Sequence, residues 1–211
     1  MNSQNPSKPT PSRRERSKAD KMRRILVVGE RLFSKQGFDG TTVQQIADEA
    51  DIAVGTLFLY ISDKSELLLR LFHNTIDREL EPAVRRMKSN RKFLPAVRRF
   101  LEDLVAPYEK DRELAKVFCR EFLFHKGEVR AELDKQASEI LGALAAVITV
   151  AQKRGDIDKR VDPSVGALQV YVIFNSTLAF HLADCLPDKS PSLTLNALLQ
   201  SAWLGLAPRC E

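Results

Sequence analysis

Residues 41–67 read TTVQQIADEADIAVGTLFLYISDKSEL, and the fold is decided there. Thr41 or Thr42 stands three residues before Gln44 or Gln45, a capping-box start in which side chains satisfy the first free N–H groups of a helix. Val43, Ile46, Ala47 and Ala50 then share one face at helical spacing. Residues 51–54, DIAV, break the period, and Val54, Leu57, Phe58 and Ile61 resume it. Ser62 or Asp63 caps the next helix, whose inward stripe includes Leu67, Leu68, Leu71, Phe72, Ile76 and Leu80. Upstream, Ile25, Val28, Gly29, Leu32 and Phe33 follow the same rule, and Gly37 is a left-handed stop. Two short helices of about eight residues, joined by a tight turn inside a three-helix unit, make a helix-turn-helix.

The helical period continues to the end of the chain. Val97, Phe100, Leu101, Leu104, Val105 and Tyr108 hold it, as do Leu114, Val117, Phe118, Phe122 and His125. A long helix is expected from about Val129 to Lys153, ended by Gly155. Asp162–Pro163 is an N-cap with proline at the first helical position. Residues 165–186 are apolar almost all round, so this helix must be covered on both sides. A last helix runs from about Leu193 to Leu206. The expected class is all-α: an N-terminal helix-turn-helix module followed by a helical bundle.

Composition excludes several classes. The 211 residues are 44% hydrophobic and 29% charged, which rules out wholesale disorder, collagen-like repetition and a disulfide scaffold. Nine Gly and ten Pro are too few for a chain of many tight turns. No apolar run reaches a membrane span, the first residues lack a secretory h-region, and three scattered cysteines suggest reduced thiols in a cytosolic protein. The charge is uneven. Residues 1–36 carry ten Lys/Arg against three acids, +7 of the chain's net +5, so the remainder is −2. Such a basic start on a near-neutral body is the footprint of a nucleic-acid binder or a solubilising tail. Residues 1–17 are expected to be a disordered basic arm, 18–66 the DNA-binding unit and 67–211 the helical body.

The run Leu32–Phe33, Gly37–Phe38, Thr41–Thr42–Val43, Ile46–Ala47, Ala50, Gly55–Thr56–Leu57, Tyr60, Lys64 and Leu67 resembles the TetR family of bacterial transcription regulators. The resemblance spans roughly residues 22–72, and the rest agrees only in layout. It implies that Gln44, Ala53, Val54, Gly55, Thr56, Phe58, Leu59, Tyr60 and Lys64 touch DNA. Read from the residues, Thr41 and Thr42 lie at a helix N-terminus suited to a phosphate. Gly55 would let backbone approach DNA closely, and Tyr60 and Lys64 suit phosphate oxygens. The alternatives are a packing aromatic for Tyr60 and a solvated cap for Lys64. The family pattern is not followed throughout: Asp51 replaces a turn glycine, and Ala53, Val54, Phe58 and Leu59 replace more polar or hydroxylated residues.

The family also implies an effector pocket and a dimer. Tyr108, Phe118, Phe122, His125, Tyr171, Phe174 and Asn175 are candidates for a cavity taking a small apolar or aromatic molecule, an ordinary packed core being the alternative. Leu178, Phe180, Leu182, Leu199 and Trp203 are candidates for a symmetric four-helix contact, and such a dimer fits a palindromic duplex operator. No catalytic, metal or cofactor pattern appears: His73, His125 and His181 are scattered and no phosphate-cradling glycine loop is present. The expected activity is repression relieved by an effector, against an activator of the same fold, or a helical carrier or enzyme.

Overall fold

A computed structural model describes residues 12–186 and 190–206, and helices are the regular elements among them. They are α1 (Arg13–Gln36), α2 (Val43–Glu49), α3 (Val54–Leu57), α4 (Lys64–Ser89), α5 (Phe93–Lys110), α6 (Arg112–Phe122), α7 (Val129–Arg154), α8 (Pro163–Leu182) and α9 (Pro191–Leu206). The chain divides into two compact units, the first ending at Leu67 and the second beginning at Leu68.

The expectation of a disordered arm to residue 17 is corrected for its described part. Ser12 accepts a hydrogen bond from the Glu15 N–H, Glu15 accepts one from the Ser12 N–H, and this capping box starts α1 at Arg13. The first eleven residues lie outside the described ones. Ile25, Leu32 and Phe33 of α1, Ile46 and Ala47 of α2, Leu57 of α3, Ile61 and Leu67 are all 3% exposed or less and form the core of the first unit. Gly29 lets α1 and α4 close on each other: a β-carbon there would stand 2.6 Å from Leu67 Cδ2. Gly37 has φ 76° and ψ 172°, an extended turn with positive φ rather than the left-handed helical stop expected.

In the second unit α7 lies along α8, and α9 packs on α8 and α5. Gly155, at φ 81°, closes α7 in the left-handed conformation expected, and Asp162 caps α8 through the N–H groups of Ser164 and Val165. Among the described residues α8 is the helix long and apolar enough to cross a membrane, with a mean hydropathy of 1.4. One of its faces is core: Val170, Phe174, Leu178 and Leu182 are buried. The opposite face exposes Val165, Leu168, Val172 and Phe180, at the spacing of a helical stripe. Leu193, Leu198 and Leu204 of α9 are also exposed.

This geometry corrects most of the expected dimer residues. Leu178, Leu182 and Leu199 point into the protomer core, at 3%, 1% and 3% exposure. Trp203 stacks on Phe93, ring centres 5.0 Å apart. Phe180 is the member of that set on the free face, at 55% exposure. Residues 85–99 hold seven Lys/Arg and no acid, and four of them are paired: Arg86 and Arg99 meet Asp103, Arg98 meets Glu102 and Arg85 meets Glu81.

Candidate nucleic-acid interface and effector cavity

Thr42 is the N-cap of α2. Its hydroxyl accepts from the Gln45 N–H at 3.2 Å, while Gln45 Oε1 accepts from the Thr42 N–H at 2.9 Å. Thr41 is corrected as a DNA residue: it is 1% exposed, and its hydroxyl donates to the Gly37 carbonyl at 2.8 Å. Its role is to shape the turn that delivers Thr42. Gln44 is exposed on the first turn of α2, and its amide donates to Asp48 at 2.7 Å. Asp48 thus orients the expected base reader. That i, i+4 pairing was readable in the sequence but was not drawn from it.

The turn after α2 is a Schellman motif. The Asp51 N–H reaches the Asp48 carbonyl and the Ile52 N–H the Ala47 carbonyl, at 3.2 and 3.1 Å, with Asp51 left-handed at φ 53°. Asp51 therefore occupies the conformation that the expected glycine would hold. The second helix of the motif is shorter than the eight residues expected. α3 has four residues, and Leu59 and Tyr60 continue it through i→i+3 bonds to Thr56 and Leu57.

This short turn presents a row of candidates. Ala53, Gly55, Phe58 and Leu59 are exposed, the last two at 50% and 76%, while Val54, Thr56 and Tyr60 are half-buried. A β-carbon added at Gly55 would meet nothing within 4 Å, so nothing in this unit's packing requires glycine there. Lys64 is tied to its own unit, with one of its three N–H groups left over for a phosphate. Its ammonium donates to the Phe38 and Thr41 carbonyls at 2.6 and 2.9 Å.

In the second unit, Tyr108, Phe118, Phe122, Tyr171, Phe174 and Asn175 line one cavity, as the sequence led us to expect. His125 does not line it; its Nε2 is buried with no hydrogen-bond partner. The sequence did not point to Gln136, which also forms part of the wall; its amide donates to the His73 carbonyl at 3.0 Å. Phe72, Tyr108, Phe118 and Phe122 form a chain of ring contacts beside it, with centres 4.7–5.5 Å apart. Burial holds the Tyr108 phenol well above its ordinary range, with Cys119 and Tyr171 adding to the effect, and burial raises Tyr171 too. No charged side chain lines the cavity. Its volume is about 30 Å³, room for one water, so a larger occupant requires the aromatic wall to open. No group of three or more metal-ligating side chains occurs among the described residues.

Residues 25–71 match the family of bacterial regulatory proteins of tetR type. The transcriptional repressor KstR of Rhodococcus jostii is 30% identical over 129 residues, 60% of this chain and 58% of that protein. The match therefore spans less than two thirds of that relative. The regulator RutR of Escherichia coli K12 is 25% identical over 85% of this chain and 81% of its own. Two solved structures share the fold. FadR of Thermus thermophilus, a TetR-family repressor in complex with lauroyl-CoA, superposes with a TM-score of 0.74 at 20% identity, covering 90% of this chain and 97% of that one. FadR of Bacillus subtilis, in complex with stearoyl-CoA, gives 0.68 at 18%, covering 87% and 98%.

Proposed function

We propose that this chain, which belongs to the TetR family of bacterial transcription regulators, is a homodimeric repressor that leaves its operator when a small apolar molecule enters the second unit. It is a helix-turn-helix DNA-binding regulator, and the finer reading rests chiefly on the cavity. Five aromatic rings and two amides line a closed, uncharged space fed by α4, α5, α6, α7 and α8. An apolar or aromatic occupant gains by leaving water, whereas a charge placed there would lose its hydration without a partner. The acyl-CoA complexes of the two FadR proteins make a fatty acyl group the first probe, its apolar chain inside and its charged portion outside. α4 carries Ile76 in the cavity wall and begins at Lys64 in the DNA-binding unit, so displacement of that helix would reach both.

The exposed stripe of Val165, Leu168, Val172 and Phe180, with Leu193 and Leu204, supports a two-fold contact between copies. A dimer presents two reading heads to a palindromic operator in the cytoplasm. The chain itself catalyses nothing in this reading.

The test begins with duplexes selected from a random library by the full chain. Lauroyl-CoA and a panel of aromatic acids are then titrated against the complex. Release by one of them, abolished by Ala137→Trp at the cavity wall while duplex binding is kept, is the expected result. Ligands that leave the complex intact at saturation would overturn effector release. Deletion of the gene should raise expression from a promoter carrying the selected site; a fall would make the protein an activator.

A further inference from the structure

The family match begins at residue 25, yet α1 begins at Arg13. The twelve residues between are helical and extend about 18 Å at 1.5 Å per residue. They hold seven Lys/Arg against Glu15 and Asp20, a net of +5, which equals the net charge of the whole chain. Residues 12–20 are all exposed, so no packing inside the unit accounts for that stretch being helical.

The charge is arranged. The packing stripe of α1 runs through Ile25, Val28 and Leu32. Continued backwards at the same alternation of four and three, it falls on Lys21, Lys18 and Arg14. One helix face is thus apolar where it meets the module and basic beyond it. Glu15, Asp20 and Glu30 fall off that stripe. Glu15 is held by Ser12 and Asp20 by Arg23, so Arg14, Lys18 and Lys21 have no acidic partner among the described residues. Neighbouring cations at i, i+3 and i, i+4 repel one another and oppose the helix. An anionic partner along that face would remove the penalty.

The place of the stripe identifies the partner. Arg31 pairs with Glu49 at the end of α2, and Arg24 lies 3.8 Å from Asp51 in the turn leading to α3. The overhang therefore starts beside the helix-turn-helix turn and runs on past it, on the side by which α1 packs on the module. We propose that Arg14, Lys18 and Lys21 form a second DNA contact surface that grips duplex phosphates outside the half-site read by α2 and α3. At 3.4 Å per phosphate along a strand, the overhang matches roughly five nucleotides. The inference rests on the DNA-binding reading and extends it to a segment outside the family match.

The test uses the full chain, a mixed-sequence 40-base-pair duplex and a salt series. Lys18→Ala/Lys21→Ala removes two cations from the stripe, and Arg16→Ala/Arg23→Ala removes two from elsewhere on the same helix; alanine preserves the helix in both. Circular dichroism checks that both variants keep the wild-type helix content. The stripe variant should lower the slope of log K against log salt by about two, near 0.9 for each lost phosphate contact, and the control by less than half of that. Equal losses in the two variants would reduce the overhang to diffuse attraction and overturn the proposal, as would an unchanged slope in the stripe variant. A wild-type chain that binds no duplex even at low salt would instead overturn the DNA-binding reading itself, and the overhang's partner with it.

Discussion

The Lys64 ammonium lies 4.2 Å from the centre of the Phe38 ring and donates a 2.6 Å hydrogen bond to that same residue's carbonyl. A second bond at 2.9 Å reaches the Thr41 carbonyl, so one side chain at the start of α4 fixes the loop that leads into α2. Hydrogen bonds to a charged donor contribute about 1.5–3 kcal/mol when sheltered, and part exposure of Lys64 places the pair near the lower end. Lys64→Ala should therefore lower the unfolding midpoint of the DNA-free protein and weaken all duplexes together. Calorimetry of the variant decides between roles: an unchanged midpoint with weakened binding would make Lys64 a phosphate ligand instead.

Local signals made the helix-turn-helix legible before any coordinates. The Thr42–Gln45 box, the apolar stripe of α2 and the odd Asp51 each depend on neighbours within a few residues. The bonds of Lys64 left no such trace, because its acceptors are backbone carbonyls 23 and 26 residues away. Ser12 and Glu15 did leave one, an S-x-x-E spacing, outweighed by the proline- and serine-rich residues before it. Six of the seven cavity candidates line it, because aromatics spaced along inward helix faces converge. Leu178, Leu182 and Leu199 were misassigned for a different reason. α8 and α9 are apolar on both faces, and periodicity cannot say which face is inside when both are greasy.

Asp51 gives a prediction about stability. A non-glycine residue in the left-handed region costs about 1–2 kcal/mol, softened for Asp, and its contact with Arg24 is too exposed to repay much. Asp51→Gly should raise the unfolding midpoint by the equivalent of about 0.5–1 kcal/mol, and Asp51→Val should lower it. A destabilised glycine variant would show that the carboxylate, not the backbone, is what the turn needs.

The two faces of α8 should respond differently to substitution. Phe180→Glu and Leu168→Glu alter the exposed stripe and should leave a folded, helical monomer, since a charge buried unpaired in a dimer contact costs several kcal/mol. Leu178→Ala deletes core volume and should cost about 2–5 kcal/mol of folding stability while dimers persist. Sedimentation and thermal melts separate the outcomes. A Phe180→Glu protein that still sediments as a dimer would place the contact elsewhere.

Cys119 carries a pH dependence. Burial pushes its thiol from an ordinary 9.0 up to about 11, so the folded state prefers the neutral form. Its contribution to stability is complete below pH 9, where both states hold the proton, and is lost as pH rises towards 11 and only the unfolded thiol ionises. Buried Tyr108 and half-buried Tyr171 act in the same direction at higher pH. Melts of the wild type should fall between pH 9 and 11, and Cys119→Ser should shallow the first part of that fall. At pH 8 iodoacetamide should label exposed Cys185 before Cys119 in a Cys210→Ser background, and mass spectrometry of the native protein reads the order.

Gly29 and Gly55 are both helical, and only one is required by the protein's own packing. At Gly29 a β-carbon would collide with Leu67, so Gly29→Ala should destabilise the first unit. At Gly55 the same atom would enter open space, and alanine in an exposed helix is about 0.5–1 kcal/mol better than glycine. Four residues make α3 a weak helix, and Gly55 lies in its first turn, so the gain should sit near the lower end of that range. Nothing inside the unit gives a reason for glycine at 55. An external body approaching the backbone does: beside a phosphate or a base edge, a methyl group occupies the space in which backbone and DNA would meet. Gly55→Ala should therefore melt slightly higher than wild type while losing affinity for the selected operator by about tenfold or more, since displacement of one or two close contacts removes 1–3 kcal/mol. Affinity for random duplex, carried by cations, should fall far less. Fluorescence anisotropy on both duplexes beside a melt of the free protein measures all three quantities. Full operator affinity in a stabilised Gly55→Ala protein would mean that the DNA does not approach α3 at this position, and would move the reading surface towards Gln44 and Leu59.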